Sequence, residues 1–277
     1  MREHRYCVAH TLTGRYASME VLEMSYTWKS FKELIGNRTS GDKKYYFRGQ
    51  SCSEWKLETS FHRASADKEI TLNSYLTEII HDVNRQVSSM DKPVDLQNGI
   101  EFGEMLARLQ HHGFPTPLLD WTLSPYVAAY FAFKGAPVEA KPEDMVSIYM
   151  FDINKWVSEV TPSADLLSPI PFVSDFAPYL TKNPRMARQM GVMTMTNVID
   201  IQQFIMSKGQ DYLFKACIHA SERSVVMKEL NLMGINDHTL FPDFDGLCKH
   251  LKEIHFDNKC KVLPPPLPLV PPPPPKA

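Results

Sequence analysis

The chain has 277 residues, 43% of them hydrophobic, 11% aromatic and 22% charged, a balance that excludes a disordered or fibrous polymer and supplies a full hydrophobic core. Its formal net charge of −2 excludes a general electrostatic pull toward nucleic acid or an anionic membrane surface. No stretch approaches the roughly 20 apolar residues that span a bilayer, and Met1–Cys7 lacks the apolar run of a secretory signal.

Residues 1–30 read as an N-terminal segment, with no periodic signal up to Met24. Ser30–Ile35 predicts a short helix ended by Gly36-Asn37, and the aromatic run Lys44–Arg48, bounded by Gly41-Asp42 and Gly49, predicts a strand. Leu72, Leu76, Ile79, Ile80 and Val83 share one face of a helical region over about 71–88, and Phe102, Met105, Leu106 and Leu109 repeat at helical spacing. The run from Gln110 to Ser124 then reads as a short, Pro-braced connection between two buried helices. The second of these is capped by Ser124, opens on Pro125, continues apolar through Val127, Ala128, Phe131 and Ala132, and ends at Gly135. Val146–Phe151 predicts a strand followed by a helical turn through Trp156. The Pro-, Ser- and Asp-rich stretch Thr161–Asn183 predicts a long ordered loop. Gly191–Thr196 and Tyr212–His219 predict strands, and Val225–Met233 and Leu247–Ile254 the last helices, separated by the acidic turn Leu240–Gly246. The tail 261–277 is almost pure proline, expected to be polyproline II outside the fold. Such a tail is either a stiff end or a ligand for an SH3- or WW-type groove.

The connection 110–124 concentrates groups that do chemistry. A loop rigid at both ends and rich in polar side chains is a good place for a site. Arg48, at the end of an aromatic strand and followed by glycine, can point into a cleft and offer a planar fork to phosphate or carboxylate. Asp120 reads either as a buried carboxylate fixing the loop through backbone N–H groups or as a reactive group. Ser124 is a helix cap, yet the same helix end could bind a phosphate. His111 and His112 are adjacent and point about 100° apart on a helix end, so they do not grip one metal together. Asp243 and Asp245 are best explained as N-terminal caps of the following helix. Five cysteines (Cys7, Cys52, Cys217, Cys248 and Cys260) are scattered and never spaced as CxxC, which excludes a disulfide framework and favours a reducing cytoplasm. No Gly-rich phosphate loop and no GxSxG elbow is present.

Taken in order, several segments resemble the FRG domain, a family named for its Phe-Arg-Gly signature. They are Tyr46-Phe47-Arg48-Gly49-Gln50, Trp55-Lys56-Leu57, Ser60-Phe61-His62-Arg63, Gln110 through Thr116, Leu118 through Thr122 and Ser124-Pro125. Arg185, Gln189 through Val192 and Leu240 through Asp243 look like its later motifs, so the resemblance covers about Phe31 to Leu251 and implies a domain over 31–260. One departure stands out: Pro117 occupies the place where the family usually has an arginine. The motif order is similar to that of ADP-ribosyltransferases, with Arg48 on the first core strand and Thr122-Leu123-Ser124 leading into a helix bearing Ala128 and Phe131.

The resemblance implies an α+β fold with a small mixed sheet flanked by helices, ADP-ribosyltransferase-like, with NAD as substrate and no metal. Arg48, Thr122, Ser124, Gln189 and Asp120 are the implied catalytic residues. Gln189 stands where the transferases carry glutamate, and Asp120 could supply a carboxylate from the other wall. Arg48, Gln50, Arg63, His111 and Trp121 are the implied ligand contacts, with Trp121 or Tyr46 stacking on a ring. The implied activity is ADP-ribosylation of a protein or nucleic-acid acceptor, or NAD hydrolysis, in a toxin or phage-defence role, without membrane contact. Two other readings remain: a non-catalytic module for a phosphorylated ligand or partner, and a metal-dependent hydrolase or nuclease using His111, His112 and Asp120.

Overall fold

The computed structural model describes residues 23–40, 44–177, 184–252 and 255–256. The readings made for residues 1–22 and for the proline tail, with Cys7 and Cys260, lie outside the described residues. In chain order the elements begin β1 (Glu23–Tyr26), α1 (Trp28–Arg38), β2 (Tyr45–Gln50) and α2 (Ser60–Ser65). A helical stretch follows, made of α3 (Leu72–Ser74), a π turn (Tyr75–Ile79) and α4 (Ile80–Val87). Next come α5 (Gly99–His111), β3 (Leu118–Thr122), α6 (Pro125–Lys134), β4 (Met145–Asp152), α7 (Ile153–Glu159) and β5 (Val173–Phe176). The rest are α8 (Pro184–Arg188), β6 (Gly191–Thr196), α9 (Ile201–Lys208), β7 (Leu213–His219), α10 (Arg223–Leu232), α11 (Asp237–Leu240) and α12 (Phe244–Lys252).

The fold is α+β, built on one seven-stranded mixed sheet in the order β1-β7-β4-β2-β3-β6-β5. Only β1 and β7 run parallel; the other neighbours are antiparallel. Alternation along the central strands sorts side chains to two layers. On one face Phe47, Ile148, Met150, Ala216 and Ile218 pack against α6 and α10. On the other, Tyr46, Tyr149, Phe151 and Leu213 pack against α7 and α9 through Trp156, Ile201 and Ile205. A third cluster joins Leu118, Met193 and Met195 to Leu106 of α5 and Tyr75 of the π turn.

Several expectations need correction. The connection 110–124 is not a loop between helices, because its second half is β3, a central strand paired over five residues with β6. Pro117 is tolerated there because it sits just before the first strand residue, where its carbonyl still accepts from Thr196 N–H at 3.1 Å. Asp120 is consequently exposed in mid-strand rather than buried in a turn. Gly36 does not end α1. The helix runs on to Arg38, where the Thr39 hydroxyl and N–H both bond the Ile35 carbonyl. The stretch 161–183 contains β5, recruited by the free edge of β6 through buried Phe172 and Val173. Ser124 does cap α6, accepting from Val127 N–H at 3.3 Å, with Pro125 first and Gly135 at the end.

The approach of α6 to β2 is set by one missing side chain. A Cβ on Gly49 would overlap the Ala128 carbonyl and lie 2.8 Å from the Ala132 nitrogen. Substitution by alanine must therefore push helix and strand apart. In urea unfolding Gly49→Ala is expected to cost about 3 kcal/mol, the upper part of the overpacking range. Gly36→Ala, an open helical position with nothing within 4 Å, is expected to add roughly 0.5–1 kcal/mol by lowering chain entropy.

His62 in α2 is 7% exposed and its Nδ1 lies 2.9 Å from the Thr59 hydroxyl; burial lowers its pKa from 6.5 to about 4. The folded protein thus holds this ring neutral while the unfolded chain protonates it. Stability is full above pH 6.5 and is lost as pH falls toward 4, on the order of 2 kcal/mol from this group. Urea titrations at pH 7 and 5 are expected to show a smaller drop for His62→Gln than for the wild type.

Candidate functional site

β2 and β3 are sheet neighbours at one position only, Phe47 opposite Thr122. On its other side β2 keeps a continuous six-residue ladder with β4, and β3 a five-residue ladder with β6. Beyond Phe47 the two strands therefore part, each held away by its outer neighbour. Arg48 bridges the gap, its Nη1 donating to the Asp120 backbone carbonyl at 2.7 Å, so a side chain replaces the missing ladder bond. The parting opens a cleft of about 780 Å³, within the range of small-molecule sites.

The cleft gathers Arg48, Gln50, Arg63, Asp120, Trp121, Thr122 and Gln189 from β2, α2, β3 and the segment after α8. Ser124 and His111 do not line it. Ser124 is engaged as the cap of α6. His111 closes α5, and its pKa is lowered by burial and by nearby Arg185 and His112, while Asp120 and Asp243 oppose the shift. Tyr46 also stays outside the lining, fully buried with its hydroxyl donating to Asp175 at 2.6 Å. Trp121 borders the cleft but is only 3% exposed. Its indole packs near Phe151 and donates to the Thr194 hydroxyl at 3.0 Å, so it forms wall rather than an open stacking face.

The walls are braced. The Thr122 hydroxyl donates to the Gln189 carbonyl at 2.7 Å and accepts from Ser124 N–H at 3.1 Å, which ties β3, the start of α6 and the segment after α8 together. Gln189 gives its side-chain Nε2 to the Leu240 carbonyl at 3.2 Å, and Arg185 lies 4.4 Å over the Phe241 ring. Met190, between them and β6, adopts a left-handed φ of 48° and its carbonyl accepts from Leu123 N–H. Burial draws the Arg48 pKa down, Asp120 raises it and Arg63 lowers it further; an arginine remains charged throughout.

The loop following β2, residues 51–59, forms the rim, and its role was not read from the sequence. It is pinned at Ser53, whose N–H bonds the Met145 carbonyl and whose carbonyl accepts from buried Lys215 Nζ at 2.8 Å. It is pinned again at Lys56, whose carbonyl accepts from Gln50 Nε2 at 3.1 Å, and by fully buried Leu57. From this loop Glu54, Trp55, Lys56 and Glu58 border the cleft, and Arg185 and Phe131 join them from α8 and α6. Trp55 is 58% exposed and is the accessible aromatic surface here. The lining thus carries four cationic side chains, Arg48, Lys56, Arg63 and Arg185, and three carboxylates, Glu54, Glu58 and Asp120. The sequence signals that fell on the rim were its position directly after the arginine-bearing strand and the FRG-like segment Trp55-Lys56-Leu57.

Among the described residues no group of three or more His, Cys, Asp or Glu is placed to hold a metal ion, and no helix is long and apolar enough to cross a membrane. Searches of the curated proteins and of the solved structures find no match to this chain. The model of the FRG domain family does match, over residues 43–141, so the chain carries an FRG domain whose span includes β2, the rim loop, β3 and α6.

Proposed function

We propose that the cleft binds NAD and cleaves its nicotinamide–ribose bond, transferring ADP-ribose to an acceptor or to water. The observation that carries this reading is the arginine on the parted strand with two glutamates, Glu54 and Glu58, on the loop that follows it. The cationic side chains suit a pyrophosphate: Arg63, Lys56 and Arg185 supply positive charge, to which Arg48, its Nη1 already given to the Asp120 carbonyl, adds its own. Exposed Trp55 offers a ring face for a base. In the reaction the bond from C1′ to the ring nitrogen breaks and its electron pair leaves with nicotinamide. The ribose becomes oxocarbenium-like, and a nucleophile adds to C1′ and then loses its proton. A carboxylate beside the sugar stabilises that cation, and Glu58, half-buried, is the group assigned this task. We further propose that the functional unit extends past the matched span to about residue 260. A unit cut at 141 would leave β2 without β4 and β3 without β6.

A second reading, a non-catalytic module for a phosphorylated ligand, is favoured by Gln189. An amide stands where the transferase resemblance calls for glutamate, and its side chain is engaged by the Leu240 carbonyl.

Nicotinamide release from NAD separates the two. The wild type is expected to release nicotinamide, and Arg48→Ala and Glu58→Gln each to lose about 100-fold or more, the scale of removing one positioned charged group. Arg48→Lys, which keeps the charge but not the fork, guards against a folding defect. NAD binding without release, with or without cell extract as acceptor source, would overturn the enzymatic reading in favour of the module.

A further inference from the structure

β2 carries two polar atoms that the fold leaves unused. Arg48 and Gln50 are two residues apart, so their side chains leave the same face of the strand, and both border the cleft. Each is half spent on holding the walls: Arg48 Nη1 on the Asp120 carbonyl and Gln50 Nε2 on the Lys56 carbonyl. What remains is Arg48 Nε and Gln50 Oε1, both buried and both without a hydrogen-bond partner. Gln50 is 7% exposed, so water does not freely serve it.

The sense of these two atoms is fixed by their neighbours. Arg48 Nε can only donate. The Lys56 carbonyl requires a donor from Gln50, so the amide group must face the loop and the oxygen must face the other way. Natural proteins leave few buried polar atoms unpaired, and each such atom asks for an explanation. Here an unpaired donor and an unpaired acceptor belong to two neighbouring residues that border one cleft. A phosphate or a carboxylate presents acceptors only and would leave Gln50 Oε1 unpaired. A primary carboxamide presents an acceptor oxygen and a donor nitrogen on the same carbon and satisfies both atoms.

We infer that Arg48 Nε and Gln50 Oε1 form a carboxamide-reading pair that orients the nicotinamide end of NAD, Arg48 donating to the carboxamide oxygen and Gln50 accepting from its NH₂. This rests on the NAD reading proposed above and deepens it: the strand that carries Arg48 recognises the leaving group, and the charge around the rim takes the pyrophosphate. Ser147 is the register partner of Gln50 on β4, and its hydroxyl is also unpaired. It is fully buried and does not border the cleft, so it takes no part in ligand contact.

NMR titration of the full chain with nicotinamide, nicotinic acid and ADP-ribose tests the pair. Nicotinic acid replaces the NH₂ by an acceptor, and ADP-ribose lacks the ring altogether. The wild type is expected to prefer nicotinamide to nicotinic acid. Gln50→Leu is expected to shift that ratio at least tenfold toward the acid, beyond any change common to all three ligands that follows from loss of the bond to the Lys56 carbonyl. Gln50→Met, closer in length and also without the donor to the Lys56 carbonyl, is expected to do the same. Ser147→Ala is expected to leave the ratio unchanged. ADP-ribose binding with no preference between the two pyridines, or with a preference that both Gln50 variants retain, overturns the carboxamide pair and leaves the nucleotide reading standing. Failure of the folded wild type to bind any of the three overturns both.

Discussion

The architecture turns on the junction of β2 with β3, where a single residue pair, Phe47 and Thr122, joins two halves of a seven-stranded sheet. Each half is internally zipped: β1, β7, β4 and β2 on one side and β3, β6 and β5 on the other. Unpaired backbone groups in the middle of a sheet are costly when they are cut off from water. The chain meets that constraint by sending Arg48 across to the Asp120 carbonyl and leaving the remaining space open as the cleft. A side chain in place of a ladder bond holds the strands apart while keeping one of the orphaned carbonyls satisfied.

The three residues Phe47-Arg48-Gly49 divide the work of that junction among themselves. Phe47, 2% exposed, anchors β2 in the core under α6 and supplies the one pairing with β3. Arg48, on the opposite face, spans the gap. Gly49 returns to the α6 face, where only a missing side chain lets the Ala128 carbonyl come so close. Position on the strand decides each role, since alternate residues face alternate layers. The same alternation puts Gln50 back beside Arg48, and Gln50 in turn fastens the rim loop through the Lys56 carbonyl. Fold and site are thus built from one six-residue strand.

Much of this was legible in the sequence where the signal was local. The aromatic run before Gly49, the Ser124-Pro125 cap and the apolar repeats of α5 and α6 each show a period or a stop that fixes their element. β3 was not legible. Its five residues carry Asp120 in the middle and prolines at both flanks, so locally they look like a polar connection. They become a strand only because β6, some seventy residues downstream, supplies five partners. β1 and β5 were missed for the same reason: each has four residues and is held by one non-local neighbour. Helices α2, α8 and α11 are too short to show a period. Within the site, Arg48 stood out through its strand and its glycine, whereas Glu54, Trp55 and Glu58 sit on a loop whose course is set by Ser53, Lys56 and Leu57. Which loop side chains turn toward a cleft is decided by such anchors and not by any spacing along the chain.

The central claim is that the gap between β2 and β3 is a ligand site and not merely a flaw in the sheet. Hydrogen exchange of the backbone amides, with and without saturating NAD, addresses it most directly. A ligand lodged between the parted strands is expected to slow exchange in residues 48–58 and 118–122 and to leave the β4–β7 ladder, which is already fully paired, unchanged. Unchanged exchange in both cleft segments would contradict the account.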